Sequence, residues 1–378
     1  MKVTSLPMLS LLPLLLQTVC LCVSAGETKI AQPLPIATVF TSGQEGYHTF
    51  RIPALIATPN GSLLAFCEGR KNGTSDAGDI DLVFKRSTDG GRTWSKLEVL
   101  WEDQDNTCGN PCPLVDRETQ TIWLLLTHNL GTDRENQIIA GTSKGTRTVW
   151  VTQSADDGLT WTKPLEITGT VKKAGWTWYA TGPGVGIQLR SGRLLVPCDH
   201  AEAGTKEWNS HVIYSDDHGK SWKIGGVVGP KCNESQAIEL GDGSIMLNMR
   251  SYRGSKRRTV ALSTDGGLTF SEPHQDPTLI EPVCQASILR IKDATGIAHV
   301  LFSNPASQNA RTNGTVRLSD DEGKTWPVSK GIWPGGFGYS CLAELPDKSI
   351  GLLFESDGSR QIRFTQFKLS WLKSDSPN

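Results

Sequence analysis

Five copies of one short pattern, S-x-D-x-G-x-[ST]-[WF], constrain this chain more than any other feature. They occupy Ser87–Trp94, Ser154–Trp161, Ser215–Trp222, Ser263–Phe270 and Ser319–Trp326. Their central aspartates, Asp89, Asp156, Asp217, Asp265 and Asp321, are 67, 61, 48 and 56 residues apart. Recurrence at such a period indicates a repeat architecture, each copy marking one supersecondary unit. Asp supplies a side-chain-to-backbone hydrogen bond, and Gly the permissive dihedrals of a tight turn. The closing aromatic is expected to tuck back as a cap on its own hairpin.

An apolar or aromatic-rich strand runs into every copy: Leu82–Lys85, Val149–Thr152, Val212–Tyr214, Val260–Leu262 and Val316–Leu318. A second element recurs beside them, a turn and then a buried-looking strand, at Ser62–Cys67, Thr121–Thr127, Arg193–Pro197, Ser244–Asn248, His299–Ser303 and Ser349–Phe354. That makes six units, the last ending in the strand Ile362–Leu369 without a box. The 353 residues after Ala25 allow about 59 per unit, room for four short strands and their turns. With 39 Gly, 20 Pro and only 20% charged residues, the composition also favours short strands and turns over helices. The spacing predicts an all-β fold, a six-bladed β-propeller of four-stranded antiparallel blades. Ala37–Phe40 is expected to close the ring by pairing in the last blade. A β-helix or a sandwich would supply short strands but not one box per unit.

Residues 1–25 read as a secretory signal peptide: Lys2, an apolar stretch from Leu6 to Val23, then Val23-Ser24-Ala25. An uncleaved anchor is the alternative, weakened by Pro7 and Pro13. Residues 26–378 are then a single domain in the secretory pathway, extracellular, periplasmic or in a lysosomal lumen, with no integral membrane span. The formal net charge of −1 lacks the basic excess of a nucleic-acid binder. Beyond Ala25 seven cysteines remain, an odd number too scattered for a disulfide scaffold. Cys108 and Cys112 either pair locally or are small buried residues. No metal-ligand spacing stands out, and no metal or cofactor is implied. Glycosylation sequons start at Asn60, Asn72, Asn233 and Asn313.

Chemistry is expected where the inner strands end, at Arg70, Asn129, His200, Arg250, Asn304 and Glu355, polar residues that follow apolar runs. The boxes, on turns at the outer edge, are structural. The run Tyr47-His48-Thr49-Phe50-Arg51-Ile52-Pro53-Ala54-Leu55, together with the five boxes, resembles the sialidase (neuraminidase) superfamily of the bacterial and animal exo-α-sialidase type. The resemblance covers roughly Thr41 to Leu369.

That resemblance implies a retaining exo-α-sialidase acting on terminal sialic acid of sialylated glycans. Transfer to an acceptor, action on a related nonulosonic acid, or non-catalytic glycan binding are the alternatives. A sugar with a carboxylate on its anomeric carbon calls for forked, permanently charged donors, which arginine supplies. By motif position the three clamp arginines are Arg51, Arg250 and Arg311. Each charge-assisted hydrogen bond contributes about 1.5–3 kcal/mol. Sialidases with a tyrosine nucleophile are an exception to the two-carboxylate rule of glycosidases. A carboxylate nucleophile would face the substrate carboxylate with about 4 kcal/mol of repulsion at about 4 Å and an effective dielectric of 20. The phenol avoids this, but its ordinary pKa near 10 demands a neighbouring base.

The resemblance makes Tyr339 the nucleophile and Glu234 its base, with Glu239 a competitor. Asp76 is the acid/base on the loop after Arg70, with Asp79 and Asp81 its rivals. Arg70 is assigned to the sugar, and Glu355 to orienting the first arginine. Asn110, Tyr179, His200, Trp176 and Trp178 are candidates for lining the sugar or N-acetyl pocket. The run Lys256-Arg257-Arg258 reads as a solvated loop.

Overall fold

The computed structural model describes Met1 and residues 34–374; apart from Met1, the expected signal peptide lies outside the described residues. Nearly every element is a strand. β1 (Ile36–Thr41) leads into β2 (Thr49–Ala57), β3 (Leu63–Arg70), β4 (Ile80–Ser87) and β5 (Glu98–Trp101). β6 (Thr107–Asp116) and β7 (Thr121–Asn129) precede a short helix, α1 (Glu135–Ala140), and β8 (Thr148–Ser154) and β9 (Leu165–Glu166) follow it. After α2 (Thr168–Val171) come β10 (Trp176–Thr181), β11 (Ile187–Gln188), β12 (Leu194–Glu202), β13 (Trp208–Ser215) and β14 (Lys223–Val228). Next are β15 (Cys232–Glu239), β16 (Ile245–Ser251), β17 (Arg257–Ser263) and β18 (His274–Ile280). The last are β19 (Ser287–Lys292), β20 (Ala298–Pro305), β21 (Thr312–Ser319), β22 (Val328–Glu344), β23 (Ile350–Ser356), β24 (Gln361–Phe367) and α3 (Leu369–Lys373).

Chain neighbours pair antiparallel in runs: β2-β3-β4-β5, β6-β7-β8-β9, β10-β12-β13-β14, β15-β16-β17-β18 and β19-β20-β21-β22. β22 serves twice, its first half pairing β21 and its second half β23, which pairs β24. β1 completes this last run, Ala37 lying opposite Phe364, as the sequence led us to expect. The final strand stops at Phe367 rather than Leu369, and α3 folds back so that Trp371 meets the Phe367 ring at 5.3 Å.

The strands expected to be innermost are the second of each run. The innermost ones are the first strands: β2 packs against β6 and β22, β15 against β12 and β19, and β19 against β22. They were hidden because Pro, Gly and polar residues interrupt them, as in Arg51-Ile52-Pro53 and Gly109-Asn110-Pro111, which read as turns.

All five boxes form one hydrogen-bond pattern. In the third, Ser215 Oγ donates to Asp217 and accepts from Gly219 N, while Asp217 accepts from the backbone and hydroxyl of Ser221. Gly219 stands at φ 81°, and a Cβ there would lie 2.2 Å from the Trp123 ring, so only glycine fits. That contact shows the boxes' job. Each sits between the third and fourth strands of its run and presses on the neighbouring run. The aromatics follow suit: Trp94 packs on Phe364, Trp161 on Phe66 and Phe84, and Trp222 on Trp123. Trp326 packs on Phe302 of its own run, as expected, and also donates its indole N–H to Asp276 of the neighbouring run. The reason is burial. A hairpin's own face is already covered, whereas the seam between sheets leaves apolar surface to remove from water.

Cys108 and Cys112 are not paired; all seven cysteines among the described residues are free and buried. Arg258 is not on a solvated loop either. It is fully buried, paired with Glu281 at 2.7 Å and bonded to Asn248 and the Cys284 carbonyl. Alternation hides this: Arg258 faces inward on β17 while Arg257 faces out.

Candidate active site

Five first strands share an irregularity. Register shifts fall between Arg51 and Ala54, Gly109 and Cys112, Trp176 and Tyr179, Cys232 and Ser235, and Phe337 and Ser340. An extra residue in a strand breaks the ladder locally and re-aims a side chain. Within or beside these bulges stand Arg51, Asn110, Trp178, Glu234 and Tyr339, and all line one cavity of about 200 Å³. Ile52 and Asn110 hold φ of 62° and 53°. Positive φ is strained for a β-branched residue, and Ile52 persists there because its N–H donates to Glu355 at 2.9 Å.

Tyr339 is the hub. Its Oη donates to Glu234 Oε1 in a short bond. Arg250 Nη1 reaches Glu234 Oε2 at 2.7 Å and Tyr339 Oη at 3.1 Å. The Arg51 and Arg311 guanidinium groups stand 5.1 and 5.3 Å from the Tyr339 ring centre. Burial and then the Glu234 charge hold the phenol well above its ordinary value, against the pull of Arg250 and Arg51. The phenol is therefore held neutral, its proton directed at the Glu234 carboxylate.

Glu355 does not line the cavity but braces it. Buried, it accepts from Arg51 Nε at 2.7 Å, from Ile52 N, and from Tyr339 N at 3.1 Å. Burial alone would lower the Arg51 pKa; the Glu355 charge overrides it and raises it. Arg311 comes to the rim with no side-chain hydrogen bond among the described residues, its guanidinium free for a ligand.

Asp76 is exposed on the loop between β3 and β4 and pairs with Arg70 at 2.6 Å. Burial would raise its pKa, but Arg70 and Arg51 bring it below the ordinary carboxylate value. Arg70 is also held by Glu68 at 2.6 Å. The rivals turn away: Asp79 and Asp81 bind Lys71, and Asp81 accepts from the Tyr47 hydroxyl. Glu239 binds Arg190 at the far end of β15.

Five expected residues lie elsewhere, Trp176 among them. Tyr179 is fully buried beside His211 at 4.9 Å, and His200 is fully buried, stacked on Trp176 at 3.6 Å and 14°. The bulge between Trp176 and Tyr179 aims Trp178 at the cavity and turns its neighbours into the sheet packing. Asn129 braces the loop after β7 through Leu130 and Asp133, and Asn304 bonds the Ile280 carbonyl and Arg317.

Sequence reasoning missed Glu68, Glu135, Arg147, Asp199, Trp208 and Tyr252, which also line the cavity. Glu68 had a legible signal, a charge two residues before Arg70 on the same strand face. Asn233 lines the cavity too, buried with its amide on Tyr252 Oη, so its sequon has no accessible acceptor.

A repeat-built all-β chain with three arginines around a Tyr–Glu pair defines a class: Asp-box proteins with an arginine-rich cavity. Residues 61–352 match the family described as BNR repeat-like domain. A sialidase of Micromonospora viridifaciens is 40% identical over 351 residues, 88% of this chain and 53% of that protein. An exo-alpha-sialidase of Arthroderma benhamiae is 34% identical over 369 residues, 86% of this chain and 85% of that one. Among solved structures, the Hadza microbial sialidase Hz136 superposes with a TM-score of 0.83 at 34% identity, covering 89% of this chain and 69% of that one. The chain belongs to the sialidase family. It spans about half the length of the Micromonospora relative.

Proposed function

We propose that this protein is a retaining exo-α-sialidase that releases terminal sialic acid from sialylated glycans. The observation that carries the reading is Tyr339 Oη bonded to Glu234 beneath three arginines. Arg51, Arg250 and Arg311 clamp the substrate carboxylate. Tyr339 Oη attacks the anomeric carbon, its proton passing to Glu234, while Asp76 protonates the departing glycosidic oxygen. The Tyr–sugar bond is then cleaved by a water whose proton returns to Asp76, and Glu234 gives its proton back to the phenolate. Two displacements leave the product with the starting anomeric configuration.

The strand runs support a six-bladed propeller, β22 and β1 closing the sixth blade, with the site at the mouth of the central axis. The leader-like start of the sequence supports export into the secretory pathway or its equivalent. Among the described residues no helix is long and apolar enough to cross a membrane.

The test is turnover of a fluorogenic α-sialoside from acidic to neutral pH by wild type and Asp76→Ala. Turnover that needs Asp76 supports the reading. No turnover by a folded wild type leaves a glycan-binding protein or an enzyme for another acidic sugar.

A further inference from the structure

A single nitrogen of Arg70 serves two carboxylates. Its Nη2 stands 2.6 Å from Glu68 Oε2 and 2.6 Å from Asp76 Oδ1. The two differ in setting, the Glu68 side chain being 4% exposed and that of Asp76 57%. Glu68 lies two residues before Arg70 on β3, so both project from one face of the sheet. Glu68 Oε2 accepts from Arg70 Nε as well, at 3.1 Å, and Arg70 Nη1 donates to the Thr74 carbonyl at 2.6 Å. Glu68 thus clasps the buried guanidinium, which in turn holds Asp76 and the backbone of the loop that carries it.

The seat of Glu68 is built from a second run. Its Oε1 accepts from Asn110 N at 3.0 Å, at the β6 bulge where Asn110 holds φ 53°. A Cβ on Gly109 would come within 2.3 Å of the same oxygen, so the carboxylate fills space that any other residue there would need. Burying a carboxylate is costly unless charge and hydrogen bonds match it, and here both do.

The reaction above gives Glu68 no proton to move, yet its charge has a use. Asp76 is faced by Arg70 from β3, Arg51 from β2, Arg147 from the segment before β8, and Glu135 from α1. Three cations against one carboxylate favour the ionised form. A group that protonates a leaving oxygen has to carry its proton. Glu68 takes up part of the Arg70 charge at the very nitrogen that meets Asp76.

We propose that Glu68 is a positioning residue for Asp76. It anchors Arg70 between the first and second runs and shares its charge, so that Arg70 aims the acid/base without locking it in an ion pair. The inference rests on the sialidase reading, in which Asp76 is the acid/base, and adds a residue to it.

Glu68→Gln, which keeps the shape, tests it by two readouts. One is kcat/KM on a fluorogenic α-sialoside across pH. The other is the carboxyl NMR titration of Asp76, assigned with Asp76→Asn. Expected are a fall in kcat/KM of about tenfold or more and an Asp76 midpoint moved to lower pH in both readouts. In an Arg70→Met background the same change hardly moves the midpoint, because Glu68 acts through Arg70. Glu68→Asp keeps the charge but withdraws it by one methylene. It gives a smaller shift of the same sign, and stands in if the glutamine variant does not fold. A rate loss with the midpoint unmoved, or an equal shift without Arg70, overturns the inference. Should wild type turn over no α-sialoside, it is the sialidase reading that fails, and the NMR midpoint still decides whether Glu68 acts on Asp76.

Discussion

The Tyr339 hydroxyl donates to the Glu234 carboxylate across 105 residues of sequence, and a single Arg250 nitrogen touches both. Carboxylate, phenol and guanidinium are thus in contact before any ligand arrives. Each stands on or beside the bulge of its run, so the sheet architecture itself fixes their separation. Preorganisation of this kind is where a rigid scaffold contributes to rate.

Tyr339→Phe keeps the ring beside Arg51 and Arg311 but removes the oxygen proposed to attack. Steady-state assays on a fluorogenic α-sialoside should show kcat reduced by at least about a hundredfold. Affinity for free sialic acid should stay within a few-fold. Unchanged kcat would remove Tyr339 from the chemistry.

Glu355 touches no ligand-facing space, yet it orients Arg51, Ile52 and Tyr339 at once. Glu355→Gln loses the charge and one acceptor. We expect a stability loss of about 1.5–3 kcal/mol in denaturant unfolding and a raised KM, because Arg51 loses its aim. A variant with normal KM would show that Arg51 is positioned by something else.

Asp76 shows how pH enters. Arg70 and Arg51 hold its carboxyl low against partial desolvation by the cavity, so Arg70→Met should raise its pKa. The limb of the kcat/KM profile that reports this carboxyl then moves to higher pH. A limb that stays in place while the rate falls assigns that ionisation to another group.

Acid should loosen the boxes. Hydrogen bonds from Thr93 and Thr160 hold Asp89 and Asp156 at about 2. Because their folded values lie below the unfolded one, near 3.9, their stabilisation is complete above that value. It is lost as pH falls from about 4 towards about 2. Thermal melts of Asp156→Asn should therefore show a lower Tm at neutral pH and a flatter Tm dependence across that window. Parallel curves would mean that other carboxylates dominate.

The buried Arg258–Glu281 pair gives a stability test remote from chemistry. Arg258→Met strands a carboxylate that also accepts from Ser251 N. A loss of about 3–5 kcal/mol is expected by denaturant unfolding, as for other broken buried pairs. A loss under about 1 kcal/mol would show that Glu281 is readily protonated or rehydrated.

The sequence made much of this legible and hid the rest for physical reasons. The boxes and the strands entering them were plain because turn chemistry and apolar runs are local. Arg250 stood out at a strand end, whereas Arg51, Arg311, Glu234, Tyr339 and Asp76 were readable only through resemblance; the structure brings all six to one cavity. The first strands were obscured by the bulges that aim the site residues. Tyr179 was misplaced because one extra residue in β10 decides which of its side chains face the cavity, and His200 because it stands on β12, the second strand of its run. Glu135 was invisible for another reason: α1 is six residues long, too short to leave a helical period.

The most direct test of the central claim is to quench wild-type enzyme during turnover of an α-sialoside and map its mass. The account predicts that the protein gains one sialosyl residue, carried on the peptide that contains Tyr339. It also predicts that the first free product seen by NMR is the α anomer. A β anomer formed first, or a sugar adduct on a carboxylate, would contradict it.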